Sequence, residues 1–360
     1  MLDARNKICL NMIVRNEAKV IERCLASVKP IIHTWVIVDT GSTDGTQEII
    51  RSFLSDIPGE IYERPWMNFE HNRNEAIQLA KDTGEYLFVI DADDTIEMDQ
   101  NFSMPSLTAE SYQILVEDSG TQYWRTHFFR TQGFHYDGVL HEGLMSTSNI
   151  PAMKLFGLSY HRIGGGHRSQ DKDKYRKDAA ILEDALRMEP KNARYAFYLA
   201  QSWRDAGELE KAISCYKRRA RMGGWAEEVF VSLLEIGNLN VRLGRDCFEA
   251  FIRAYEFRPT RAEPLCNLAA YLRETARQKE AYLFAKTASE IPKPDDMLFV
   301  DSSVYQWRAL DEYAVAAYWC GRFEEALATN MRLLMVAPQA ERLRIQNHLE
   351  LCRKKRPPSR

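Results

Sequence analysis

Three carboxylates follow an apolar run in the stretch YLFVIDADD, residues 86–94. The apolar part predicts a buried strand, and Asp91, Asp93 and Asp94 come directly after it. Clustered like charges repel and lose hydration, so the arrangement is unfavourable unless a cation or a donor-rich ligand lies there. A divalent metal ion on carboxylate oxygens would meet that need. The alternative interpretation is an exposed acidic turn after a strand.

A second strand end with polar residues is VDTGSTDGT, residues 38–46. Asp39 closes an apolar run, Gly41 permits a tight backbone, and Thr43 or Asp44 can cap a following helix. A carboxylate here can accept hydrogen bonds from a base or ribose, while the helix start offers N–H groups to phosphate oxygens. The same residues would also suit a well-capped strand–helix turn without a ligand.

Both segments belong to a part of the chain, up to about residue 165, in which short apolar runs alternate with helical patterns. Strands are predicted at 7–14, 34–40, 60–66 and 86–90, and helices at 17–30, 43–56 and 70–83. This alternation predicts parallel βαβ units in an open α/β sheet, whose ligands bind at the carboxyl ends of the strands. The chain contains neither GxGxxG nor GxxxxGK[ST], which removes the main support for a nicotinamide or P-loop site.

From about residue 172 the pattern becomes helical and repetitive. Residues 193–222 and 310–338 match the spacing of a tetratricopeptide repeat of about 34 residues, 263–292 match it fairly and 231–259 weakly. The equivalent alanines are unevenly spaced, so insertions interrupt the array: Ala212, Ala250, Ala281 and Ala326. The alternative is a helical bundle without a repeat.

Composition limits the classes of protein that fit. A chain of 360 residues, 45% hydrophobic and 28% charged, is typical of a soluble protein with two or three domains. A net charge of −3 does not indicate a nucleic-acid binder. The basic end, residues 353–360, is interpreted as a solvated tail, with contact to an anionic surface as the alternative.

The cysteines and the apolar runs indicate a compartment. Seven scattered cysteines without a CxxC pair fit neither a disulfide framework nor a cysteine zinc site, so they are interpreted as free thiols. No signal peptide and no run of about 18 apolar residues is recognisable. We therefore expect a cytoplasmic protein without a transmembrane segment.

Four motifs in order carry a resemblance to a known family: RNEA at 15–18, VDTGSTDGT, HNRNEA at 71–76 and DAD at 91–93. Residues 7–165 resemble glycosyltransferase family 2, the inverting nucleotide-sugar transferases of GT-A fold. The whole chain is similar to bacterial and viral proteins that join such a transferase to tetratricopeptide repeats. The resemblance implies three parts: an α/β GT-A (Rossmann-like) domain at 1–170, an all-α tetratricopeptide-repeat solenoid at 171–350 and a basic tail at 351–360.

The resemblance also implies a donor and metal site. The donor contacts would be Asn16, Glu17, Asp39, Gly41, Asp44, Arg73, Asn74, Asp91 and Asp94. Asp91 would lie near the ribose and the metal, and Asp93 would ligate a Mn²⁺ or Mg²⁺ ion that bridges the diphosphate. His161, in preference to His167, is expected to add a nitrogen ligand. The alternatives are a surface position for Arg73 and a packed histidine at 161.

The acceptor side is expected in FHYDGVLHEGL, residues 134–144. An inverting transfer needs a base within hydrogen-bond reach of the acceptor. Glu142 is the first candidate and Asp137 the second, while His141 would either orient the acceptor or pack in the fold. Downstream, the glycines at 164–166 and the basic residues after them would form a mobile lid.

The expected function is therefore a metal-dependent inverting transfer from a nucleotide sugar, with a UDP-sugar as first choice. Helical repeats often present a groove to peptides, which favours a protein or peptide acceptor and allows a homo-oligomer. A surface polysaccharide or lipid-linked glycan is the alternative acceptor. An inactive repeat scaffold is the alternative class, although Asp39, Asp91, Asp93 and Glu142 are all present.

Overall fold

The computed structural model describes residues 7–118, 121–148 and 150–355. The chain divides into two compact units, Met1–Met188 and Glu189–Arg360. The boundary therefore lies further along the chain than the expected residue 170, because one more helix belongs to the first unit. Of the expected basic tail, residues 351–355 continue the last helix, and 356–360 lie outside the described residues.

In its described residues the first unit contains ten strands and four α-helices. The strands are β1 (Ile8–Val14), β2 (Thr34–Asp39), β3 (Gly59–Glu63), β4 (Tyr86–Val89), β5 (Thr95–Met98), β6 (Ser111–Asp118), β7 (Thr121–Arg130), β8 (Phe134–Asp137), β9 (Gly143–Ser146) and β10 (Met153–His161). The helices are α1 (Ile21–Val28), α2 (Thr46–Phe53), α3 (Phe69–Ala80) and α4 (Lys174–Met188). Eight strands form one sheet, in the order β3-β2-β1-β4-β7-β6-β10-β5, and β8 pairs with β9 separately.

The half of the sheet from β3 to β4 is parallel, as expected. Its central strands are buried on both faces, because their apolar runs do not alternate with polar residues. Along β1, Ile8 and Leu10 pack in one hydrophobic cluster with Leu25 of α1, while Cys9 packs in another with Ile77 of α3. The sheet is thus covered on both faces, and its carboxyl edge remains for a site.

The other half of the sheet adds antiparallel strands to the expected parallel units. β7 is antiparallel to both β4 and β6, and β10 is antiparallel to β5 although parallel to β6. The described residues between β4 and β10 contain no helix, so the strands turn back on one another instead of crossing over. This arrangement pairs β10 with β5, which begins directly after Asp94.

The second unit is all-helical, as expected. Its helices are α5 (Ala193–Asp205), α6 (Leu209–Met222), α7 (Ala226–Arg242), α8 (Phe248–Phe257), α9 (Glu263–Glu274), α10 (Gln278–Glu290), α11 (Ala309–Trp319), α12 (Phe323–Val336) and α13 (Gln339–Lys355). Consecutive helices pack in pairs, and the first helices α7, α9 and α11 also pack on one another. A π-helical turn, Val304–Arg308, precedes α11.

Small residues allow the second helices of the pairs to pack closely. Ala212, Ala281 and Ala326 are fully buried, as their repeat positions predicted. In α8 the fully buried alanine is Ala254, whereas Ala250 is half-buried, so the weak repeat is placed one helical turn away from its expected register. Within the described residues, none of the helices combines the length and apolar character that a membrane span requires.

Candidate active site

Asp39 ends β2 as a buried carboxylate with one oxygen in use. Its Oδ1 accepts hydrogen bonds from the backbone N–H groups of Gly41 at 2.9 Å and Ser42 at 2.8 Å. Its Oδ2 is buried and has no partner in the described part of the chain. A buried acceptor without a donor is costly, so this oxygen fits an N–H or O–H group of a bound ligand.

Asn16 and Asp44 hold together the loops that follow β1 and β2. Asn16 Oδ1 accepts from the Thr43 N–H at 2.8 Å, and Asp44 accepts from the backbone N–H groups of Ala18 at 3.0 Å and Thr46 at 3.1 Å. Helix α2 consequently begins at Thr46, slightly later than expected. The structure thus places these two expected donor contacts where they shape the loop around Asp39.

The three carboxylates after β4 diverge to different partners. Asp94 is buried, and its Oδ2 accepts from the Tyr160 hydroxyl at 2.6 Å while its Oδ1 accepts from the Ile163 N–H at 3.0 Å. Burial raises the pKa of Asp94, and the neighbouring Asp91 and Asp93 add to this. Asp94 therefore anchors the segment after β10, whereas Asp91 and Asp93 lie on the accessible side.

The glycine-rich segment after β10 closes on two carboxylates. The Gly166 N–H donates to Asp93 Oδ2 at 3.0 Å, and the His167 N–H donates to Glu17 Oε2 at 3.3 Å. A Cβ atom at Gly166 would lie 2.8 Å from Asp93 Oδ2, so a larger residue would require the Asp93 carboxylate to move. The segment that was expected to form a lid is thus held against Asp93 and Glu17 in this structure. Arg23 supports it by donating hydrogen bonds to the carbonyls of Asp93 and Gly164.

The pKa of Glu17 reflects the negative charges that surround it. Its pKa is raised to about 7, chiefly by burial and also by the charges of Asp93, Asp44 and Asp91, against the hydrogen bond from His167. A region that disfavours one more negative charge is one that a cation would stabilise. The acidic oxygens of Asp91 and Asp93 are also the ligands that Mg²⁺ and Mn²⁺ prefer.

Arg73 joins the DAD motif to the hairpin of β8 and β9. From α3, its Nη2 donates to Asp91 Oδ1 and its Nε to Glu142 Oε1, each at 2.6 Å, and its guanidinium lies 5.4 Å from the ring centre of Tyr136. Desolvation would raise the pKa of Asp91, but the charge and hydrogen bond of Arg73 together with the charges of Arg125 and His127 outweigh it and lower that pKa to about 2. Both carboxylates raise the pKa of Arg73 despite its burial, so the three groups form a charged chain.

The hairpin of β8 and β9 is docked on the same helix. Asn74 donates from Nδ2 to the Tyr136 carbonyl at 2.8 Å and accepts the Tyr136 N–H at 2.7 Å, while Glu70 accepts the Gly138 N–H at 3.1 Å. Both polar ends of Asn74, expected to contact the donor, are therefore used to hold β8. This places the hairpin, and Glu142 with it, beside Arg73.

The three acceptor-side candidates differ in exposure. Glu142 has only 9% of its side chain exposed, because it lies against Arg73. Asp137 is exposed and pairs with Gly143 in the hairpin register. His141 is exposed and has a positive φ of 54°, so it turns the chain between the two strands. Of the three, Glu142 is the side chain that Arg73 links to Asp91.

The structure does not bring His161 to Asp91 and Asp93. Its ring nitrogens lie 2.8 Å from Ser159 Oγ, 3.4 Å from Glu97 and 3.7 Å from Glu117. In the described ranges no three Asp, Glu, His or Cys side chains converge to hold a metal ion by themselves. Two carboxylates completed by ligand phosphate oxygens and water would still suit Mg²⁺ or Mn²⁺.

Two residues near the site were missed by the sequence reasoning. Tyr160 binds Asp94, and Tyr136 lies under Arg73. The signal for Tyr160 was available, since neighbouring residues of a strand face opposite sides of the sheet. Tyr160 and His161 therefore could not both face Asp93 and Asp94.

Comparison with known proteins shows similarity to glycosyltransferases. Residues 9–103 match the family model "Glycosyl transferase family 2". The SPbeta prophage-derived glycosyltransferase SunS of Bacillus subtilis is 29% identical over 225 residues, which cover 59% of this chain and 52% of that protein. The lipopolysaccharide core biosynthesis glycosyltransferase LpsC of Rhizobium meliloti is 29% identical over 109 residues, 30% of this chain and 37% of that protein.

The chain thus spans about half the length of the SunS protein that it matches. Among solved structures, a thermophilic TPR protein of Thermus thermophilus is 19% identical, with a TM-score of 0.33 over 49% of this chain and 91% of that one. The match to residues 9–103 includes the strand ends that carry Asp39, Asp91 and Asp93, and a named glycosyltransferase aligns with more than half of the chain. The first unit therefore contains a region, residues 9–103, that matches glycosyltransferase family 2.

Proposed function

We propose that this protein is a metal-dependent inverting glycosyltransferase that moves a sugar from a nucleotide-sugar donor to a protein or peptide acceptor. The observation that carries the proposal is the charged chain Asp91–Arg73–Glu142, which joins the DAD motif to a carboxylate of the acceptor-side hairpin. Asp39, whose buried Oδ2 has no partner among the described residues, lies at the end of a parallel strand of the same sheet.

The donor would lie along the carboxyl ends of β1, β2 and β4. Asp39 Oδ2 is suited to accept an N–H of the base, such as that of the uracil in a UDP-sugar, which is the first choice of donor. Asp91 and Asp93 would hold a divalent ion, which stabilises the negative charge that the leaving diphosphate develops. Arg73 places a second positive charge beside Asp91.

Glu142 would act on the acceptor. Arg73 occupies its Oε1, which orients the carboxylate and leaves Oε2 to take the proton of the acceptor hydroxyl. The hydroxyl oxygen then attacks the anomeric carbon as the bond to the diphosphate breaks on the opposite face. Asp137, on the exposed side of the hairpin, is the alternative base.

A glycan acceptor is the second candidate, because LpsC is named for lipopolysaccharide core biosynthesis. An inactive scaffold fits less well, since Asp91, Arg73 and Glu142 form an intact charged group. Peptide acceptors are favoured by the helical second unit, because helical repeats often present a groove to peptides.

The test is donor turnover by the full-length protein without an acceptor. A panel of UDP-sugars and GDP-mannose is incubated with Mn²⁺, with Mg²⁺ or with EDTA, and released nucleoside diphosphate is measured. We expect release from one donor that depends on the metal ion and is lost in Asp93→Asn. Undiminished release in EDTA would contradict the metal assignment, and no release from any donor would favour the scaffold.

A further inference from the structure

The segment 295–301, which leads from α10 to α11, crosses the first helices of three helix pairs. The Phe299 ring stacks on Phe197 of α5 at 6.5 Å. Glu227 of α7 accepts backbone N–H groups of the segment, and Glu263 of α9 accepts the Asp301 N–H at 3.2 Å. The segment thus lies across the helices that would line a groove in a repeat array.

Side chains of the helical unit hold the backbone of this segment. Glu227 Oε2 accepts the N–H groups of Met297 at 2.9 Å and Leu298 at 2.7 Å. Arg261 donates to the carbonyls of Leu298 at 3.3 Å and Phe299 at 3.0 Å. These contacts do not depend on the side chains of the segment, which is how extended peptides are commonly bound.

One side chain of the segment has a dedicated site. Asp296 accepts hydrogen bonds from Arg258 Nε at 2.6 Å and from Arg261 Nη1 at 3.1 Å. The hydrogen bond from Arg258 is the largest cause of the lowered pKa of Asp296. Arg261 is fully buried, lies 4.5 Å from the ring centre of Phe230 and is held by Glu263 at 2.8 Å, so the carboxylate site is built into the fold.

The apolar side chains of the segment contribute less. Met297 is 81% exposed and Phe299 is 60% exposed. Phe299 also has a positive φ of 48°, which is unfavourable for a large side chain. A segment held by its backbone and one carboxylate, with a strained residue and exposed apolar groups, is suited to replacement by a chain of the same chemistry.

We infer that residues 295–301 are an internal ligand in a peptide-binding cradle formed by Glu227, Arg258, Arg261 and Glu263. An extended acidic segment of the acceptor polypeptide binds the cradle by displacing them. This inference rests on the proposed function only in naming the acceptor as the source of the peptide. A tethered competitor acts at an effective concentration in the millimolar range, so an external peptide binds the wild-type chain weakly.

The test uses a fluorescein-labelled synthetic peptide with the sequence of residues 293–303, KPDDMLFVDSS, and fluorescence anisotropy on the full-length protein. The variant Asp296→Ala removes the anchor of the internal segment and leaves the cradle intact. We expect it to bind the peptide about tenfold more tightly than the wild type. The matched control Asp295→Ala changes an exposed neighbour and should behave as the wild type.

Two further variants sharpen the result. A peptide with alanine in place of its second aspartate should not bind, and Arg258→Ala added to Asp296→Ala should abolish binding. If Asp296→Ala melts early in circular dichroism, Phe299→Ala, which removes an exposed ring, is used and should shift affinity in the same direction. Equal binding by wild type and variant, or binding that ignores the peptide aspartate, would overturn the inference.

The assay needs no donor and no turnover, so its outcome is independent of the transferase proposal. A protein that binds the peptide but transfers no sugar to any polypeptide would contradict the proposed acceptor and leave the cradle standing. A protein that glycosylates a polypeptide but never binds the peptide would do the reverse.

Discussion

Arg73 and Glu142 form an ion pair in which Nε and Oε1 are 2.6 Å apart and each side chain is only 9% exposed. Removing one partner of such a pair leaves an uncompensated buried charge and commonly costs about 3–5 kcal/mol. The pair thus has a structural part, which holds the hairpin, and a chemical part, which orients a candidate base. Substitutions must separate the two.

Glu142→Gln is expected to separate them. Glutamine keeps the shape and a carbonyl acceptor for Arg73 but does not take up a proton. Donor binding, measured by calorimetry, should remain near wild type while transfer falls by about 10²–10⁴. Asp137→Asn is the matched control and should retain most activity. The reverse pattern would make Asp137 the base.

Asp93→Asn and Asp94→Asn should have opposite effects, although the residues are neighbours. Asp93 lies on the accessible side, so its variant should lose metal-dependent turnover and keep its melting temperature. Asp94 is buried under Tyr160 and Ile163, so its variant should lose about 1–3 kcal/mol of unfolding free energy. Thermal melting and nucleotide release on the same preparations compare them. A destabilised Asp93→Asn would argue that both carboxylates are structural.

Asn74→Ala should loosen the hairpin. It removes both hydrogen bonds to the Tyr136 backbone, which we expect to cost about 1–3 kcal/mol and to lower transfer more than donor binding. Gln78→Ala, at an exposed position of the same helix, is the control and should change neither. If donor affinity falls in Asn74→Ala as much as transfer does, Asn74 contacts the donor after all.

The raised pKa of Glu17 predicts that the stability of the folded chain depends on pH. Its pKa is raised from 4.5 to about 7 by burial first, so between these values the folded chain keeps a proton that the unfolded chain releases. Stability must therefore fall as pH rises through this window. In metal-free buffer, Glu17→Gln should melt at an increasingly higher temperature than wild type from pH 4.5 to 7. A constant difference would show that Glu17 titrates normally.

A truncated chain that ends at Met188 should fold and stay soluble better than one that ends near residue 170. Helix α4 buries Leu182 and Leu186, and its Asp178 forms an ion pair with Arg168. We expect the longer form to be monodisperse and to bind donor with the metal ion, and the shorter form to aggregate. Size-exclusion chromatography followed by calorimetry checks this. Loss of donor binding in a folded 1–188 chain would mean that the second unit contributes to the donor site.

The parallel half of the sheet was predictable because its signals are local. Buried strands with unbroken apolar runs and the helices between them can be recognised from periodicity, and this places Asp39 and Asp91 at strand ends. The antiparallel half follows from pairings such as β5 with β10, which no local pattern reveals. The same holds for Arg73 with Glu142, which are 69 positions apart.

The roles of individual polar residues were harder to predict than their location. Asn74 is in a motif and near the site, but its hydrogen bonds go to the Tyr136 backbone. Asp94 adjoins the DAD motif, yet it is buried against Tyr160. In both cases the partner comes from a distant strand, so the choice between a ligand contact and a structural contact depends on tertiary packing.

The buried Arg261 has a consequence for attempts to regularise the helical array. Excising residues 292–302 would bring the spacing of Ala281 and Ala326 nearer to that of an uninterrupted repeat. A designer would expect the shortened protein to be more stable. The excision would instead take away Asp296 and the two carbonyls that Arg261 contacts. A guanidinium left with fewer partners in a buried position is costly. The irregular insertion therefore stabilises this unit. The shortened chain should unfold at a lower denaturant concentration than the full-length one.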